Sequence, residues 1–175
     1  MDLLAHGLWA GLGVRWLARR HRVTRPQAVA AVTLSVLPDL AHLLPVLAWA
    51  VLGGGTAQDV VDYAVALPGQ EPAMPAWVGG LAHHLHCILH SALIAGAATL
   101  LLWSWRQHLG LALAGWWLHI VIDVLTHSAD FYPVPVAYPL TQQGFDGLAW
   151  NTPAFLVLNY LALILVAWWL RRGGS

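Results

Sequence analysis

The sequence predicts an all-α fold: an integral membrane bundle of about five transmembrane helices, forming one domain over residues 1–175. Three observations support this. Hydrophobic residues make up 59% of the chain and charged residues only 9%, far below the roughly 25% of soluble domains. The apolar residues gather in five long segments. Within those segments, histidine and aspartate recur at the spacing of one helix face.

The five apolar segments are separated by short and long connections. They cover about 3–18, 28–52, 81–105, 109–128 and 153–170. The first is short for a span of about 20 residues, and Pro38 and Pro45 interrupt the second. The long connections at 53–80 and 129–151 carry several prolines, and they act either as a lid or as plain links. A short surface helix is predicted at about 56–67.

The arginines predict the orientation of the helices. With five spans, all of them fall on one side of the membrane: Arg15, Arg19, Arg20, Arg22, Arg25, Arg106, Arg171 and Arg172. Since positive residues favour the cytoplasm, we expect an outside N-terminus and a cytoplasmic C-terminus. If the first segment does not cross, the N-terminus lies inside instead. The expected location is a cell membrane, with multiple spans, of the bacterial inner-membrane type.

Composition excludes several other classes of protein. Acidic and basic residues balance, and no basic run is interleaved with aromatics, so a nucleic-acid partner is not expected. Cys87 is the sole cysteine, which excludes an intramolecular disulfide and a thiolate metal cluster. Asp2 stands where a secretory signal would be basic, so we expect a retained N-terminal helix.

Ionisable residues in the apolar segments are the main functional signal, because such groups are costly in a membrane without a partner or a metal. Three groups of these residues each share one helix face: Asp39 with His42, His86 with His90, and His119 with Asp123 and His127. Seven residues in the outer half are the candidate metal ligands: His6, Asp39, His42, His86, His90, His119 and Asp123. Near the same end, His127 and Ser91 are candidates for a substrate contact or an additional ligand.

Histidine nitrogen with aspartate oxygen, without thiolate, suits Zn²⁺, with Mn²⁺ or Fe²⁺ as alternatives. Seven ligands exceed what one ion needs, so we expect one to three ions. Two ions sharing a carboxylate suit phosphoester hydrolysis. Asp39 or Asp123 is then the expected general base or a partner that orients a ligand.

Three motifs resemble the YdjM-type membrane-bound metal-dependent hydrolases, over about residues 5 to 140, together with the early pair His6-Gly7. They read Ser35-Val-Leu-Pro38-Asp39-Leu-Ala-His42, His86-Cys-Ile-Leu-His90-Ser91 and Gly115-Trp-Trp-Leu-His119-Ile-Val-Ile-Asp123-Val-Leu-Thr126. The chain departs from the family pattern at Ala41, where an acid is usual, at Cys87, where an arginine is common, and at His127, which replaces a proline.

The resemblance implies a helical protein distantly like zinc-dependent phospholipases C and single-strand-specific zinc nucleases, with the same seven residues as ligands. It favours metal-dependent hydrolysis of a phosphoester in a lipid or lipid-linked substrate. Two alternatives remain open: a metal-dependent amidase similar to the membrane ceramidases, and a metal transporter or sensor without catalysis. The substrate and the oligomeric state stay undetermined at this point.

Overall fold

The computed structural model describes residues 1–105 and 109–172, and within these ranges the chain is helical and contains no β-strand. Arg106, assigned above to the inner side, lies outside the described residues. The helices are α1 (Leu3–Leu17), α2 (Arg25–Val51), α3 (Ala57–Val65), α4 (Ala76–Leu89), α5 (Ala92–Trp105), α6 (Gly110–Thr126) and α7 (Pro153–Arg172). The predicted all-α class is confirmed, and α3 confirms the short helix predicted at about 56–67.

The first two helices begin at side-chain caps. The Asp2 carboxylate accepts the Ala5 main-chain N–H at the start of α1. Thr24 and Gln27 form a reciprocal capping box at the start of α2, with Pro26 in its first turn. These contacts satisfy main-chain donors that an isolated helix end leaves unpaired.

Helix α2 runs without a break through both prolines that interrupt its apolar pattern. Each proline removes one main-chain donor, and neighbouring helices can satisfy the carbonyls that this leaves exposed. In the turn that precedes Pro38, the Ser35 carbonyl accepts a hydrogen bond from His119 Nδ1 at 2.8 Å. The proline turn thus faces α6 and takes part in positioning a candidate ligand.

The predicted third segment, 81–105, consists of two helices, α4 and α5, bent by 60° at their junction. The second long loop stabilises this break, because Val136 O accepts the Ala92 N–H at 2.9 Å. The Ser91 hydroxyl accepts the Ile94 N–H at the start of α5. The apolar pattern of the sequence continues through this point without interruption. Hydrogen bonds to a loop distant in sequence nevertheless end α4 at His90.

Two helices, α2 and α7, are long and apolar enough to cross a membrane, and the bent pair α4–α5 makes a third candidate. This is consistent with a membrane protein, although the predicted five spans are not confirmed. Helix α1 has 15 residues and α6 has 17. At 1.5 Å per residue they measure roughly 22 and 25 Å, less than the roughly 30 Å of a hydrocarbon core.

Helix α2 is the centre of the bundle, since it packs against α1, α3, α4 and α6. Its closest approach is to α6 at Gly115. A Cβ on Gly115 would lie only 2.0 Å from the carbonyl oxygen of Ala31. The glycine allows the two backbones to touch, which sets the distance between the helices that carry Asp39 and Asp123.

This contact predicts that Gly115→Ala destabilises the bundle. Alanine normally favours a helix, but here its methyl group would force α6 away from α2. We expect the free energy of unfolding to fall by about 1–3 kcal/mol, as for other overpacked sites. Thermal unfolding followed by circular dichroism in detergent measures this.

Gly80→Ala is the matched control, because Gly80 is also helical and a Cβ there meets nothing within 4 Å. Its stability should stay the same or rise by up to about 1 kcal/mol. Equal stability of the two variants would show that the close contact is not required.

Candidate metal site

Three helices bring four of the predicted ligands to one point. His6 comes from α1, Asp39 from α2, and His119 and Asp123 from α6. One ligand atom from each of these residues lies within 4.8 Å of the others. This cluster could hold a metal ion. The side chains of His6, His119 and Asp123 are fully buried, whereas that of Asp39 is 19% exposed, so Asp39 marks the accessible side.

Asp123 is at the centre of the cluster. Its Oδ1 lies 2.8 Å from His6 Nε2, and its Oδ2 lies 3.2 Å from His119 Nε2. Asp39 lies slightly farther away, with Oδ2 3.8 Å from His6 Nε2 and Oδ1 3.7 Å from His119 Nε2. Two carboxylates therefore face the same two imidazoles from neighbouring helices.

His90, from the break between α4 and α5, is a third histidine beside the two carboxylates. We call His6, His90 and His119 the inner histidines. Its Nε2 lies 3.3 Å from Asp123 Oδ2 and 3.5 Å from Asp39 Oδ1. Its position depends on the break, because a residue at the end of α4 can turn its ring toward α6. The structure places His90 beside Asp39 and Asp123, and its role as a ligand stays a prediction.

The second ring nitrogens of His119 and His90 bind main-chain carbonyls. Nδ1 of His119 donates to Ser35 O at 2.8 Å, and Nδ1 of His90 donates to His86 O at 2.9 Å. A carbonyl oxygen only accepts, so both Nδ1 atoms carry hydrogen. In a neutral imidazole, the Nε2 lone pair then faces the cluster, which is the usual arrangement of a metal-ligating histidine.

The contact between His90 and His119 requires positive charge. Their Nε2 atoms are 2.9 Å apart, although the tautomers just described make both of them acceptors. Two lone pairs at this distance repel unless a proton or a cation lies between or beside them. Asp123 Oδ2, which is buried beside both, makes no hydrogen bond of its own to protein. The donor set therefore fits a cation.

His42 and His86 lie beside the cluster rather than within it. The His86 ring stacks near His90 with centroids 4.1 Å apart, and His42 meets His86 edge-on at 5.7 Å. His42 Nδ1 is buried without a hydrogen-bond partner. Of these two predicted ligands, His86 thus lies beyond the ring of His90, and His42 lies beyond His86, toward Tyr63 of α3.

The two additional candidates differ in position. His127 lies at the rim, with Nε2 4.0 Å from Asp123 Oδ1 and Nδ1 donating to Tyr132 O at 2.9 Å. Ser91 is buried, and its hydroxyl donates to Tyr138 O at 2.7 Å. Ser91 therefore anchors the second loop, while His127 remains close enough to contact a molecule bound at the cluster.

Some contacts of the site have no counterpart in the sequence pattern. The Met1 nitrogen binds Asp123 Oδ1 and lies 3.3 Å from His127 Nε2. The carbonyls of Ser35, His86 and Tyr132 orient three imidazoles. Main-chain groups of this kind carry no residue-type signal, so spacing and composition could not identify them.

Tyr132 links the two long loops above the site. Its hydroxyl donates to Glu71 Oε1 at 2.7 Å, and its carbonyl accepts from His127. Its φ of 48° is in the left-handed region, which is unfavourable for tyrosine and needs support from surrounding contacts. Burial, together with the hydrogen bond to Glu71, raises the pKa of Tyr132. Burial would raise the pKa of Glu71, but the bond from Tyr132 and main-chain donors outweigh it and lower that pKa.

Fold and site together define an all-helical chain with two or three candidate membrane spans and a His/Asp cluster able to hold a metal ion. Comparison with protein-family models, curated proteins and solved structures finds no match. The resemblance to YdjM-type hydrolases accordingly stays a prediction from the three motifs.

The loop contact predicts that Tyr132→Phe loosens the first loop and leaves the cluster intact, since the main-chain bond to His127 remains. Amide exchange at residues 66–71 should quicken by about fivefold, the scale of one partly exposed hydrogen bond. Hydrogen–deuterium exchange with mass spectrometry measures it. Tyr160→Phe, which removes a similar bond to Asp2, should leave this segment unchanged.

The same contact should depend on pH. The lowered pKa of Glu71 means that the bond is fully formed above the usual glutamate value of about 4.3 and is lost as pH falls through the lowered pKa. The raised pKa of Tyr132 preserves the bond up to at least the usual tyrosine value of about 10. Protection factors at 66–71, which correct for the intrinsic pH dependence of amide exchange, that change with neither pH nor the Tyr132 substitution would show that this bond does not hold the loop.

Proposed function

We propose that this protein is a membrane-embedded metal-dependent hydrolase that cleaves a phosphoester in a lipid or lipid-linked substrate. The observation that carries the proposal is the convergence of four ligand atoms, from His6, Asp39, His119 and Asp123, within 4.8 Å. These residues come from helices that are far apart in sequence, and each would be costly to bury alone. A bound cation offsets that cost for all four together.

Zn²⁺ suits the set of imidazole and carboxylate ligands best, with Mn²⁺ or Fe²⁺ as alternatives. The proposed ligands nearest the ion are His6, His90, His119 and Asp123. The oxygens of Asp39 lie farther from the imidazoles, which leaves this carboxylate available as a base. His42 and His86, which lie next to each other beyond His90, would bind a further ion. When bound, a divalent ion lowers the pKa of a water toward about 7 and polarises a phosphoryl oxygen.

The two carboxylates are suited to different roles. Asp123 has no exposed surface and is surrounded by imidazoles, which suits a permanent ligand. Asp39 keeps 19% of its side chain exposed, so water and substrate can reach it. We therefore assign to Asp39 the role of general base, holding the attacking water and accepting its proton. His127 at the rim is placed to contact the substrate or the leaving group.

The serine geometry does not favour the amidase alternative. The Ser91 hydroxyl donates to Tyr138 O, and the Ser35 hydroxyl donates to Val32 O at 2.8 Å. Both are committed to main-chain carbonyls rather than directed at the cluster.

The site is proposed to face the outer leaflet. The arginine-bearing ends of α1 and α7 lie together, because Arg19 donates to Leu170 O and stacks on Trp169 at 5.4 Å. His6 and the start of α7 lie at the other end of these helices. If the arginine end is cytoplasmic, as the positive-inside rule favours, the metal cluster lies toward the outer side of a bacterial inner membrane.

Metal content tests the proposal directly. Elemental mass spectrometry on detergent-purified protein should find one or more zinc, manganese or iron ions per chain. The double variant His119→Ala/Asp123→Ala should lose them, since it removes a nitrogen and an oxygen ligand at the centre. Asp123→Asn, which keeps the side-chain shape, should weaken metal binding strongly.

The matched control is His84→Ala/Asp62→Ala, which removes the same residue types at places where their hydrogen bonds go to Tyr138 and Gln58. It should keep the metal, and circular dichroism should show that every variant is helical. Wild-type protein purified without chelator that holds no metal, and takes up none, would overturn the proposal.

Asp39→Asn separates catalysis from mere metal binding. Loss of the base should lower hydrolysis by about 10²-fold or more, while metal remains bound. Formation of diacylglycerol or phosphatidate from phospholipid substrates in detergent micelles provides the readout, with Asp62→Asn as control. Full hydrolysis in Asp39→Asn would remove Asp39 from the role of base. Metal movement across liposomes with no hydrolysis in wild type would favour the transporter alternative.

A further inference from the structure

An apolar groove runs beside the metal cluster, between α1, α6 and α7. It has a volume of about 450 Å³. Its walls include Trp9, Leu12, Trp16, Ile122, Phe155 and Trp169. On α1 the lining extends from Trp9 to Trp16, and Met1 lies at the upper end.

Two polar atoms without partners lie just behind the walls of this groove. Thr126 and Asn159 line it, and Thr126 Oγ1 and Asn159 Nδ2 are buried with no hydrogen bond to any residue that the structure describes. A ligand would reach them by displacing the adjoining wall. The amide orientation of Asn159 is fixed by Trp9, whose indole N–H donates to Asn159 Oδ1 at 2.9 Å. Because an indole nitrogen only donates, the NH₂ of Asn159 must point away from it. The groove thus offers an amide donor and a hydroxyl to a ligand that carries oxygen acceptors.

The groove comes close to the cluster, from which Met1 separates it. Met1, which lines it, binds Asp123, while Ile122 and Thr126 flank Asp123 on α6. Asn159 is bound to Trp9, one helical turn from His6. The polar atoms therefore lie between the apolar walls and the candidate metal ligands.

The length of the groove matches a lipid chain. From Trp9 to Trp16, the lining along α1 rises by roughly 10 Å at 1.5 Å per residue, and Met1 extends it beyond the start of the helix. One leaflet contributes about half of a hydrocarbon core, roughly 15 Å. A chain from the outer leaflet can lie along the groove with its polar end beside Thr126.

We propose that this groove binds one acyl chain of a glycerophospholipid. The ester oxygens of the lipid accept from Asn159 and Thr126, and its phosphate reaches the His/Asp cluster. This inference rests on the proposed function, because it takes the cluster as the place where the lipid is cleaved. It goes further by naming the lipid class, the binding surface and the direction in which the chain lies.

The experiment uses the full-length protein in nanodiscs of phosphatidylglycerol, doped with phosphatidylglycerol that carries a diazirine on one acyl chain. After photolysis, peptide mass spectrometry locates the labelled residues. In wild type we expect labels concentrated on groove residues of α1, α6 and α7. Gly13→Leu should lower this labelling by about tenfold, the cost of overfilling a site.

Gly13 suits this test because it lines the groove, is exposed, and a Cβ there meets nothing within 4 Å. Gly80→Leu is the matched control, since Gly80 is also a helical, exposed glycine with open space. It should leave groove labelling unchanged. Labels spread evenly over all lipid-facing helices, and equal in both variants, would overturn the inference by showing only the general lipid annulus.

Two further readouts separate this inference from the proposed function. Metal content and cleavage of water-soluble bis(p-nitrophenyl) phosphate depend on the cluster alone, so Gly13→Leu should retain both. Cleavage of phosphatidylglycerol should fall with the labelling. Groove labelling in a protein that holds no metal would overturn the hydrolase and keep the groove as a lipid site. Bound metal and cleavage of the soluble substrate without groove labelling would keep the hydrolase and overturn the groove as a lipid site.

Discussion

The buried carboxylate of Asp123 is the constraint on which the structure depends. An isolated charge in an apolar interior costs several kcal/mol or more, and only close positive partners offset this cost. The Met1 nitrogen is one such partner. A cation held beside His6, His90 and His119 would be another. His6 of α1 and His90 at the end of α4 reach Asp123 only if those two helices are held at a fixed depth and rotation around α6. The packing of the bundle is therefore inseparable from the electrostatics of this one group.

Contacts of the α2 backbone fix the positions of the groups around Asp123. Gly115 lets α6 touch Ala31, and one turn later the Ser35 carbonyl holds the ring of His119. Asp39 follows Ser35 by one further turn on the same helix. The distance between the two carboxylates is thus set by contacts between backbones. A site held in this way is rigid before any ligand arrives, which favours tight positioning of a cation and of the groups around it.

The structure brings four of the predicted ligands together, whereas the main-chain groups that orient them were not predicted. The spacing of His119 and Asp123 places them on one face of a helix, and that relation holds in the structure. The break at His90 was not predicted, because Val136, 46 positions away, supplies the acceptor that stabilises it. Apolar periodicity describes each helix alone and contains no information about such a partner. For the same reason, apolar periodicity could not predict that His90 lies beside Asp123 while His86 lies on the far side of the His90 ring.

The two sides of the cluster differ in what can reach it. On the loop side, Tyr132 joins both long connections through Glu71 and holds His127, so a large molecule arriving from water would have to break these bonds. On the side of α1 and α7 the approach is an apolar groove that needs no such opening. A hydrolase of this shape would admit water through the exposed edge of Asp39 and its lipid from the bilayer. In a protein with the proposed function, the small reactant and the large one would then arrive by separate routes, so that neither would have to displace the other.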